Sequence, residues 1–377
     1  MNRIGTPETI GELNKRLILN HLRGEGNMSR ADLSRKLGMS FPAVSSNVKA
    51  LLDAGYIREI GEGNNSLGRK STMLSFNADR GYIVGVDVGR FRLRVMVANL
   101  LGEVIASAHD KSRPHGMVEN ICRLVREAVQ KSGKKPEQML CICAGIPGII
   151  NQGESYLAPF VDSFSEQELR DSLMRCYPQA DLLLENCVNL GALGEQWKGA
   201  GASYGNIAYV SYGIGLGTAF IIDGKLYKGA NGAAGEIGFM LTDPLNMRSG
   251  FDEIGALEDT LSSQKINKCL QNGDFKEELV MLIKKYEEGE MYAKLVLDEI
   301  ALHLGMALVN ICAVMNPEAI IMSGGIGANL GGLFRRRWEE MLSNHVPFAP
   351  KLIFSQMDNH ETMMGAIVTG INHVHNK

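Results

Sequence analysis

Short glycine-rich motifs with acidic or amide side chains recur between residues 85 and 325, and they are the strongest candidates for chemistry in this sequence. In chain order they are Gly85-Val-Asp-Val-Gly89, Gly145-Ile-Pro-Gly148, Glu185-Asn-Cys-Val-Asn189, Gly213-Ile-Gly-Leu-Gly217, Gly229-Ala-Asn-Gly-Ala-Ala-Gly-Glu-Ile-Gly238 and Ser323-Gly-Gly325. Glycine-rich turns let backbone amides approach a phosphate group. The same glycines also form tight turns without any ligand, and the sequence leaves both interpretations open.

A second candidate site lies near the N-terminus, on a helix predicted to begin after Ser40. An apolar stripe that includes Val44 and Val48 is expected to face the core. The opposite face carries short side chains and one lysine, which are predicted to contact DNA: Ser40, Pro42, Ala43, Ser45, Ser46 and Lys49. Short residues fit close to base edges in the major groove, and a lysine binds phosphate.

A glycine-rich hairpin follows this helix, with predicted strands at 56–60 and 71–76. Its tip carries Gly68, Arg69 and Lys70. Two adjacent cations on a flexible glycine can enter a narrow, A·T-rich minor groove, where the negative potential is strongest. The charge distribution agrees, because the first 80 residues hold 12 Lys and Arg against 8 Asp and Glu, whereas the whole chain has a net charge of −3.

Three short helices must position this surface. Apolar residues at helical spacing predict a first helix over 13–22, and Ser29 is placed to cap a second. Gly38 ends the second helix, and the third begins after Ser40. The pattern predicts a winged helix-turn-helix DNA-binding domain over residues 1–80, with a module for protein contacts or dimerisation as the alternative.

The rest of the chain alternates short strands with helices, which is typical of an α/β fold. One group of predicted strands lies within 82–144 and a second group begins at 206–222, so the pattern indicates a duplicated lobe. We predict a first lobe over 81–190 that is completed by the C-terminal helix of 361–377. The second lobe is predicted over 191–360 and is expected to carry an oligomerisation surface.

Together the six motifs resemble the ROK family of sugar kinases and sugar-responsive repressors, and the resemblance covers essentially the whole chain. It implies an actin/hexokinase-like fold of two ribonuclease-H-like lobes behind the winged helix-turn-helix. It also implies nucleotide-binding positions, which here are Asp87, Gly89, Gly213, Gly215, Gly217, Gly324 and Gly325. Because Phe91 stands at the position of the kinases' threonine, we expect this site to be vestigial and ATP not to be a cofactor.

The resemblance also identifies a replaced general base. The family's kinases have Glu-Asn-Asp, in which the Asp takes a proton from the sugar hydroxyl, and this chain has Cys187 at that position. A thiol with a pKa of about 8.5 is a poor base and carries no fixed charge at neutral pH. We therefore expect a packed neutral thiol and no enzyme activity; a redox role for Cys187 and a residual sugar kinase are the alternatives.

Many members of the family bind zinc through a His after Gly-Glu-Ile-Gly and a nearby Cys-rich run. Here Phe239 replaces that His, and no Cys lies between Cys187 and Cys269. We therefore expect no zinc and no other metal cofactor. The same His helps to hold the sugar in relatives, so its loss also alters the predicted ligand site.

Four residues match family positions that contact the sugar: Gly148, Asn186, Glu236 and Glu258. Carboxylate and amide groups in a cleft recognise hydroxyls, because leaving such groups unpaired is costly. The resemblance thus implies a sugar or sugar-phosphate ligand. Two alternatives are open: Glu236 could cap a helix or join an ion pair, and the pocket could be vestigial with a protein partner supplying the signal.

Composition limits the class and location of the protein. Its 45% hydrophobic and 21% charged residues are typical of a soluble globular chain, and we expect no membrane-spanning stretch of about 20 apolar residues. The N-terminus lacks an apolar signal-peptide core, and seven scattered cysteines predict no disulfide framework, so we expect a cytoplasmic protein without a membrane partner.

We predict a transcriptional regulator, in the first instance a repressor of carbohydrate metabolism genes. It would act as a homodimer or tetramer. Because such an assembly has two-fold symmetry, we expect its operator to be an inverted repeat in double-stranded DNA.

Overall fold

The structure is a computed structural model that describes most of the chain. The described residues are 7–63, 71–89, 92–112, 116–151, 154–156, 166–213, 215–247, 254–261 and 275–376. They form an N-terminal domain followed by two lobes, each built on its own five-stranded sheet.

The N-terminal domain contains three helices and a three-stranded sheet. Its elements are α1 (Pro7–Gly24), β1 (Met28–Ser29), α2 (Arg30–Leu37), α3 (Phe41–Asp53), β2 (Ile57–Gly63) and β3 (Ser71–Phe76). β3 lies between β1 and β2 and is antiparallel to both. The predicted order of three helices and a hairpin is confirmed, and α1 is longer than the predicted 13–22.

Local sequence signals set the ends of α2 and α3. The Ser29 hydroxyl accepts a hydrogen bond from the backbone N–H of Asp32, whose carboxylate accepts one from the backbone N–H of Ser29. Gly38 ends α2 with φ of +63°, a conformation that favours glycine. Apolar side chains from all three helices form the core of the domain: Ile18, Leu22, Leu33, Val44, Val48 and Leu51.

The first lobe is built on a mixed sheet. Its elements are β4 (Tyr82–Val88), β5 (Arg92–Asn99), β6 (Val104–Lys111), α4 (Met117–Ser132), β7 (Met139–Ile146), β8 (Ile149–Asn151), β9 (Glu154–Tyr156), α5 (Glu166–Cys176) and β10 (Asp181–Asn186). The strand order is β10-β7-β4-β5-β6. The strands β10, β7 and β4 are parallel, whereas β5 and β6 continue the sheet in antiparallel fashion.

The second lobe repeats this topology. Its elements are α6 (Cys187–Lys198), β11 (Ile207–Tyr212), β12 (Leu216–Ile222), β13 (Lys225–Tyr227), α7 (Ala256–Thr260), α8 (Phe275–Glu287), α9 (Met291–Met315), β14 (Ala319–Ser323), α10 (Gly325–His345) and β15 (Lys351–Phe354). The strand order is β13-β12-β11-β14-β15, in which β11, β14 and β15 are parallel, β12 is antiparallel to β11, and β13 is antiparallel to β12. The duplicated lobe indicated by the sequence pattern is therefore present.

One long helix of the second lobe is strongly apolar. Among the described helices, α9 is long and apolar enough to cross a membrane by length and composition, although Lys294, Asp298 and Glu299 interrupt it before a run of about 20 apolar residues is reached. More than half of its apolar stretch is buried inside the protein, where it packs against α8 and α10. In this fold α9 is the central helix of the second lobe's core.

The last helix, α11 (Glu361–Asn376), lies on the first lobe although it follows the second lobe in the sequence. It packs against β4 and β7 and crosses α6. Glycines make the crossing close: a Cβ added to Gly365 would lie 1.8 Å from the carbonyl oxygen of Leu190, and one added to Gly194 would lie 2.1 Å from that of Glu361. The two helices therefore pack at backbone distance where the lobes meet.

The core of the N-terminal domain continues into the first lobe. Leu74 and Phe76 of β3 belong to the same apolar cluster as Ile371 of α11. Near the end of α11, the ring of His375 packs edge-on against Phe76 with ring centroids 5.8 Å apart. Arg23 of α1 donates a hydrogen bond to Nδ1 of the same histidine. The N-terminal domain is thus seated on the end of α11.

Candidate nucleic-acid interface and ligand cleft

The outer face of α3 is the candidate DNA-contacting surface. Val44 and Val48 are fully buried, which fixes the opposite side of the helix toward solvent. The predicted contact residues of this helix lie together on that side: Ser40, Pro42, Ser46 and Lys49 are exposed, and Ala43 and Ser45 are half-buried. Ser40 also has a structural role, because its hydroxyl accepts a hydrogen bond from the backbone N–H of Ala43 at 3.4 Å.

One residue of this surface was missed by sequence reasoning. The ring of Phe41, the first residue of α3, is 53% exposed. An exposed phenyl ring beside Pro42 can contact the methyl group of thymine in the major groove. The sequence does contain a sign that Phe41 is exposed. It is an apolar residue that lies before the buried stripe of α3, which begins at Val44.

The wing is described at its stem only. β2 and β3 pair with a register irregularity between Glu59 and Glu62. An ion pair of 3.0 Å joins Glu59 to Arg30, which fastens the stem to α2. The predicted contact residues at the tip lie outside the described residues: Gly68, Arg69 and Lys70.

The second candidate site lies where α6 begins, between the two lobes. Four residues selected from the sequence interact electrostatically there, although they come from distant parts of the chain: Asp87, Cys187, Glu236 and Glu258. Cys187 is close to Asp87 and Glu236, and Glu236 is close to Glu258. The structure therefore brings the replaced general base together with three of the carboxylates named in the sequence analysis.

Asp87 is engaged in an internal ion pair. It is buried, and its Oδ2 accepts hydrogen bonds from Nε and Nη2 of Arg94 at 3.0 and 2.5 Å. Burial raises the pKa of Asp87, and the Arg94 guanidinium opposes that rise. Arg94 also donates to the carbonyl oxygen of Asn359. Sequence reasoning missed Arg94, although the β4–β5 register places it directly opposite Asp87.

The environment of Cys187 favours the neutral form of its thiol. Burial raises its pKa to about 12, and the charge of Asp87 adds to the effect. A thiol in this state neither accepts a proton from a sugar hydroxyl nor acts as a nucleophile. The side chain is half-buried, and its raised pKa favours the neutral thiol over the redox-active alternative.

Glu236 and Glu258 form a pair of partly buried carboxylates. Burial raises the pKa of Glu236 to about 6, and the charge of Glu258 adds to this rise. Burial also raises the pKa of Glu258, although the backbone N–H of Leu216 donates to its carboxylate. Glu236 precedes a short 3₁₀ turn without making a side-chain capping bond, which argues against the helix-cap alternative. Both carboxylates can thus accept hydrogen bonds from hydroxyl groups.

Asn186 has a larger structural role than the sequence implied. As the residue before α6, it accepts hydrogen bonds at Oδ1 from the backbone N–H groups of Val188 at 2.7 Å and Asn189 at 3.0 Å. Its Nδ2 donates to the carbonyl oxygen of Gly148 at 2.7 Å. Asn186 therefore holds the Gly148 turn against α6, which leaves one N–H of its amide for a ligand.

The glycines predicted near phosphate fit their own turns. The N–H of Gly213 donates to the carbonyl oxygen of Gly215 at 3.0 Å, and Gly89 likewise donates its N–H within its own turn. A Cβ added to Gly215 would lie 3.0 Å from the Glu258 carboxylate, and one added to Gly217 would lie 3.0 Å from the side chain of Val188 in α6. These contacts support the turn-and-packing interpretation at these positions.

A cavity of about 290 Å³ lies beside the other two predicted nucleotide-binding glycines. Its lining includes Arg92, Gly324, Gly325, Asn329, Asp358 and Glu361. Gly324 has φ of +83°, and a Cβ there would lie 2.3 Å from the carbonyl oxygen of Tyr212, so only glycine fits. Because the lining combines two carboxylates with one guanidinium, its charge does not favour a nucleotide triphosphate.

Metal-ligating residues are dispersed in the part of the chain that the structure describes. Within it, no group of three or more His, Cys, Asp and Glu side chains is placed to hold a metal ion. Phe239 ends the short turn that follows Glu236, at the position where the resemblance implies a histidine. The absence of zinc stays a prediction from the sequence.

Two family descriptions match the chain. The ROK family matches residues 83–371, which span both lobes, and the winged helix-turn-helix DNA-binding family matches residues 12–58. A xylose repressor from Caldicellulosiruptor bescii is 28% identical over an alignment of 393 positions including gaps, which covers 98% of this chain and 98% of that protein.

Two solved structures show the same fold. A ROK family transcriptional regulator, described as a homologue of the E. coli MLC protein, has a TM-score of 0.78 at 21% identity, and the match covers 97% of each chain. A ROK hexokinase from Thermus thermophilus has a TM-score of 0.65 at 19% identity and covers 78% of this chain and 100% of its own. The predicted winged helix-turn-helix and actin/hexokinase-like lobes are confirmed.

Proposed function

Because the chain belongs to the ROK family and carries a winged helix-turn-helix ahead of its two lobes, we propose that it is a sugar-responsive DNA-binding repressor of carbohydrate metabolism genes. The outer face of α3 carries this proposal, since it presents short polar side chains and Lys49 on a domain seated on the two-lobed body. The likeness to a xylose repressor along almost the whole chain supports both repression and a sugar effector.

On DNA, α3 lies in the major groove. Ser46 and Lys49 contact base edges and phosphate, and Arg69 and Lys70 of the wing tip reach the minor groove. The protein acts in the cytoplasm as a homodimer or tetramer. Two-fold symmetry then requires an inverted repeat whose half-sites are about one or two helical turns apart.

The cleft binds the sugar through its carboxylates. Glu236 and Glu258 accept hydrogen bonds from sugar hydroxyls, and Asn186 holds the Gly148 turn that closes over the ring. Ligand favours one angle between the lobes and so changes the spacing of the two recognition helices in a dimer. A ligand shifts this equilibrium only by its differential affinity for the two states, typically about 1–3 kcal/mol.

Kinase activity is absent in this proposal. Phosphoryl transfer needs a base at the sugar hydroxyl, and Cys187 with its pKa of about 12 does not supply one. The Asp87 carboxylate is paired with Arg94 and is not free to face phosphate. The protein therefore binds its sugar without phosphorylating it.

The test begins with selection of duplex DNA by the full-length protein from a random pool. Fluorescence anisotropy on the selected duplex then measures affinity with and without D-xylose, other pentoses, hexoses and sugar phosphates. We expect Lys49→Ala to weaken DNA binding in all conditions and Glu258→Gln to remove the sugar response while DNA binding stays. Failure to enrich any duplex would contradict the proposal, and sugar-dependent consumption of ATP would favour the residual kinase.

A further inference from the structure

We propose that Glu361 is a positioning residue through which the second lobe sets the position of the DNA-binding domain. Glu361 lies in the first turn of α11, and its hydrogen bonds join that turn to the second lobe. The last turn of the same helix contacts the N-terminal domain. Its consequence for repression rests on the proposed function, whereas the mechanical coupling itself does not.

The carboxylate of Glu361 is the point at which α11 meets the second lobe. The residue is 5% exposed, and its Oε1 accepts hydrogen bonds from the hydroxyl of Ser323 and, at 3.3 Å, from that of Tyr209. Ser323 ends β14 and Tyr209 lies in β11, so two adjacent inner strands of the second sheet bind this one side chain. Both donors are almost fully buried, and Ser323 and Glu361 also line the cavity of about 290 Å³ described above.

The opposite end of α11 contacts the DNA-binding domain. His375 accepts a hydrogen bond from Arg23 of α1 and packs against Phe76 of β3. Because α11 has 16 residues, its ends are about 24 Å apart. One helix therefore spans the distance between the second lobe and the helix that supports the recognition surface.

Close packing prevents α11 from absorbing a displacement along its length. Gly365 meets the backbone of Leu190 in α6, and a Cβ added to Gly370 would lie 2.5 Å from the side chain of Ile83 in β4. Densely packed interfaces of this kind transmit small displacements, because they have few alternative arrangements. A shift imposed on Glu361 is thus passed to the last turn of the helix.

The second oxygen of Glu361 indicates that this contact can change. Its Oε2 is buried and has no hydrogen-bond partner in the structure. The carboxylates of Asp87 and Glu195 also lie near enough to interact with Glu361 unfavourably. An unpaired buried oxygen beside like charges disfavours a single fixed arrangement, so movement of the second lobe that brings a donor to Oε2 would be favoured.

Hydrogen exchange measured by mass spectrometry on the full-length protein tests the coupling without DNA or sugar. We expect Glu361→Ala to accelerate exchange in α1 at least about fivefold, whereas Glu361→Gln, which keeps an acceptor for Ser323, stays close to the wild type. Asp181→Asn is the matched control, because Asp181 accepts a hydrogen bond from His373 of α11 at 3.1 Å but belongs to the first lobe. Unchanged exchange in α1 of Glu361→Ala, or equal acceleration in Asp181→Asn, overturns the proposal.

A second variant keeps the test decisive if Glu361→Ala does not fold. Ser323→Ala removes the same hydrogen bond from the side of the second lobe and should also accelerate exchange in α1. Where both single variants fold, the double variant should show no more acceleration than the stronger single one, since both act on one contact. If the accelerations of exchange in the two single variants add in the double variant, Glu361 and Ser323 act independently, and the proposed role of their hydrogen bond is contradicted. If hydrogen exchange supports the coupling but the protein selects no duplex DNA, the proposed function is refuted and the coupling is not.

Discussion

The face of α3 and the cleft between the lobes were both predicted from polar residues, but the protein uses those residues differently. On α3, Ser46 and Lys49 are exposed to solvent and can meet a partner. In the cleft, Asp87 is paired with Arg94, and Asn186 bonds to three backbone groups. A motif shared with kinases can therefore be kept for internal structure, whereas a DNA-contacting surface must leave its side chains free.

The largest expected effect concerns the thiol in the cleft. With a pKa raised to about 12, Cys187 should hold roughly 1000-fold less thiolate at pH 8 than free cysteine and should therefore react far more slowly with iodoacetamide, because only the thiolate reacts. Peptide mass spectrometry over time measures the rate, and the exposed Cys176 controls for access of the reagent. Rapid labelling of Cys187 would mean that the cleft contains an ionised nucleophile after all.

A charge placed on α3 should have the next largest effect. Ser46→Glu puts a carboxylate against the phosphates and base edges of the major groove, and we expect affinity for the selected duplex to fall about 100-fold. Anisotropy titration at fixed salt gives the dissociation constant. Ser343→Glu makes the same change on the exposed side of α10 and should leave affinity unchanged. Equal affinities for the two variants would remove α3 from the interface.

Removal of one cation from the same face should have a smaller effect. We expect Lys49→Ala to weaken binding about tenfold at low salt and to reduce the slope of log affinity against log salt by about one, since one phosphate contact is lost. Lys225→Ala, an exposed lysine of β13, is the matched control. A slope identical to that of the wild type would show that Lys49 does not contact phosphate.

The smallest expected effect is on stability and comes from the cleft. Folding raises the pKa of Glu236 from its ordinary 4.5 to about 6, so the fold favours the protonated form. Its contribution to the free energy of unfolding is complete below pH 4.5 and is lost as the pH rises through 6. Since the side chain is partly exposed, Glu236→Gln should stabilise the protein by only about 1 kcal/mol at pH 7.5 and by nothing near pH 4.5.

Urea unfolding at the two pH values measures this difference. Glu287→Gln, an exposed glutamate of α8, serves as the control and should change the free energy of unfolding at neither pH. Equal stability of Glu236→Gln and the wild type at pH 7.5 would mean that the Glu236 carboxylate is well solvated. The cleft would then resemble the α3 face in leaving its polar groups free.

Short-range signals account for what the sequence predicted well. The capping pair of Ser29 and Asp32, the break at Gly38 and the buried stripe beginning at Val44 each depend on residues within a few positions of one another. The two groups of predicted strands, within 82–144 and at 206–222, followed from the same kind of local pattern. Features of this kind can be predicted without knowing which elements pack against them in the folded protein.

Pairings between distant elements account for what was missed. Arg94 became a partner of Asp87 only once the register of β4 and β5 was known. The bond from Asn186 to Gly148 depends on two turns that meet in the folded lobe. The apolar character of α9 likewise has its explanation in burial by other helices, which composition does not show.

The apolar cluster shared by β3 and α11 also affects how the protein is synthesised. Phe76 leaves the ribosome roughly 300 residues before Ile371, which at about 5–20 residues per second is a delay of roughly 15–60 s. Throughout that interval, the side of the N-terminal domain that α11 covers stays uncovered. The nascent chain therefore presents a target for chaperones, and the segment translated first is the last to be completed.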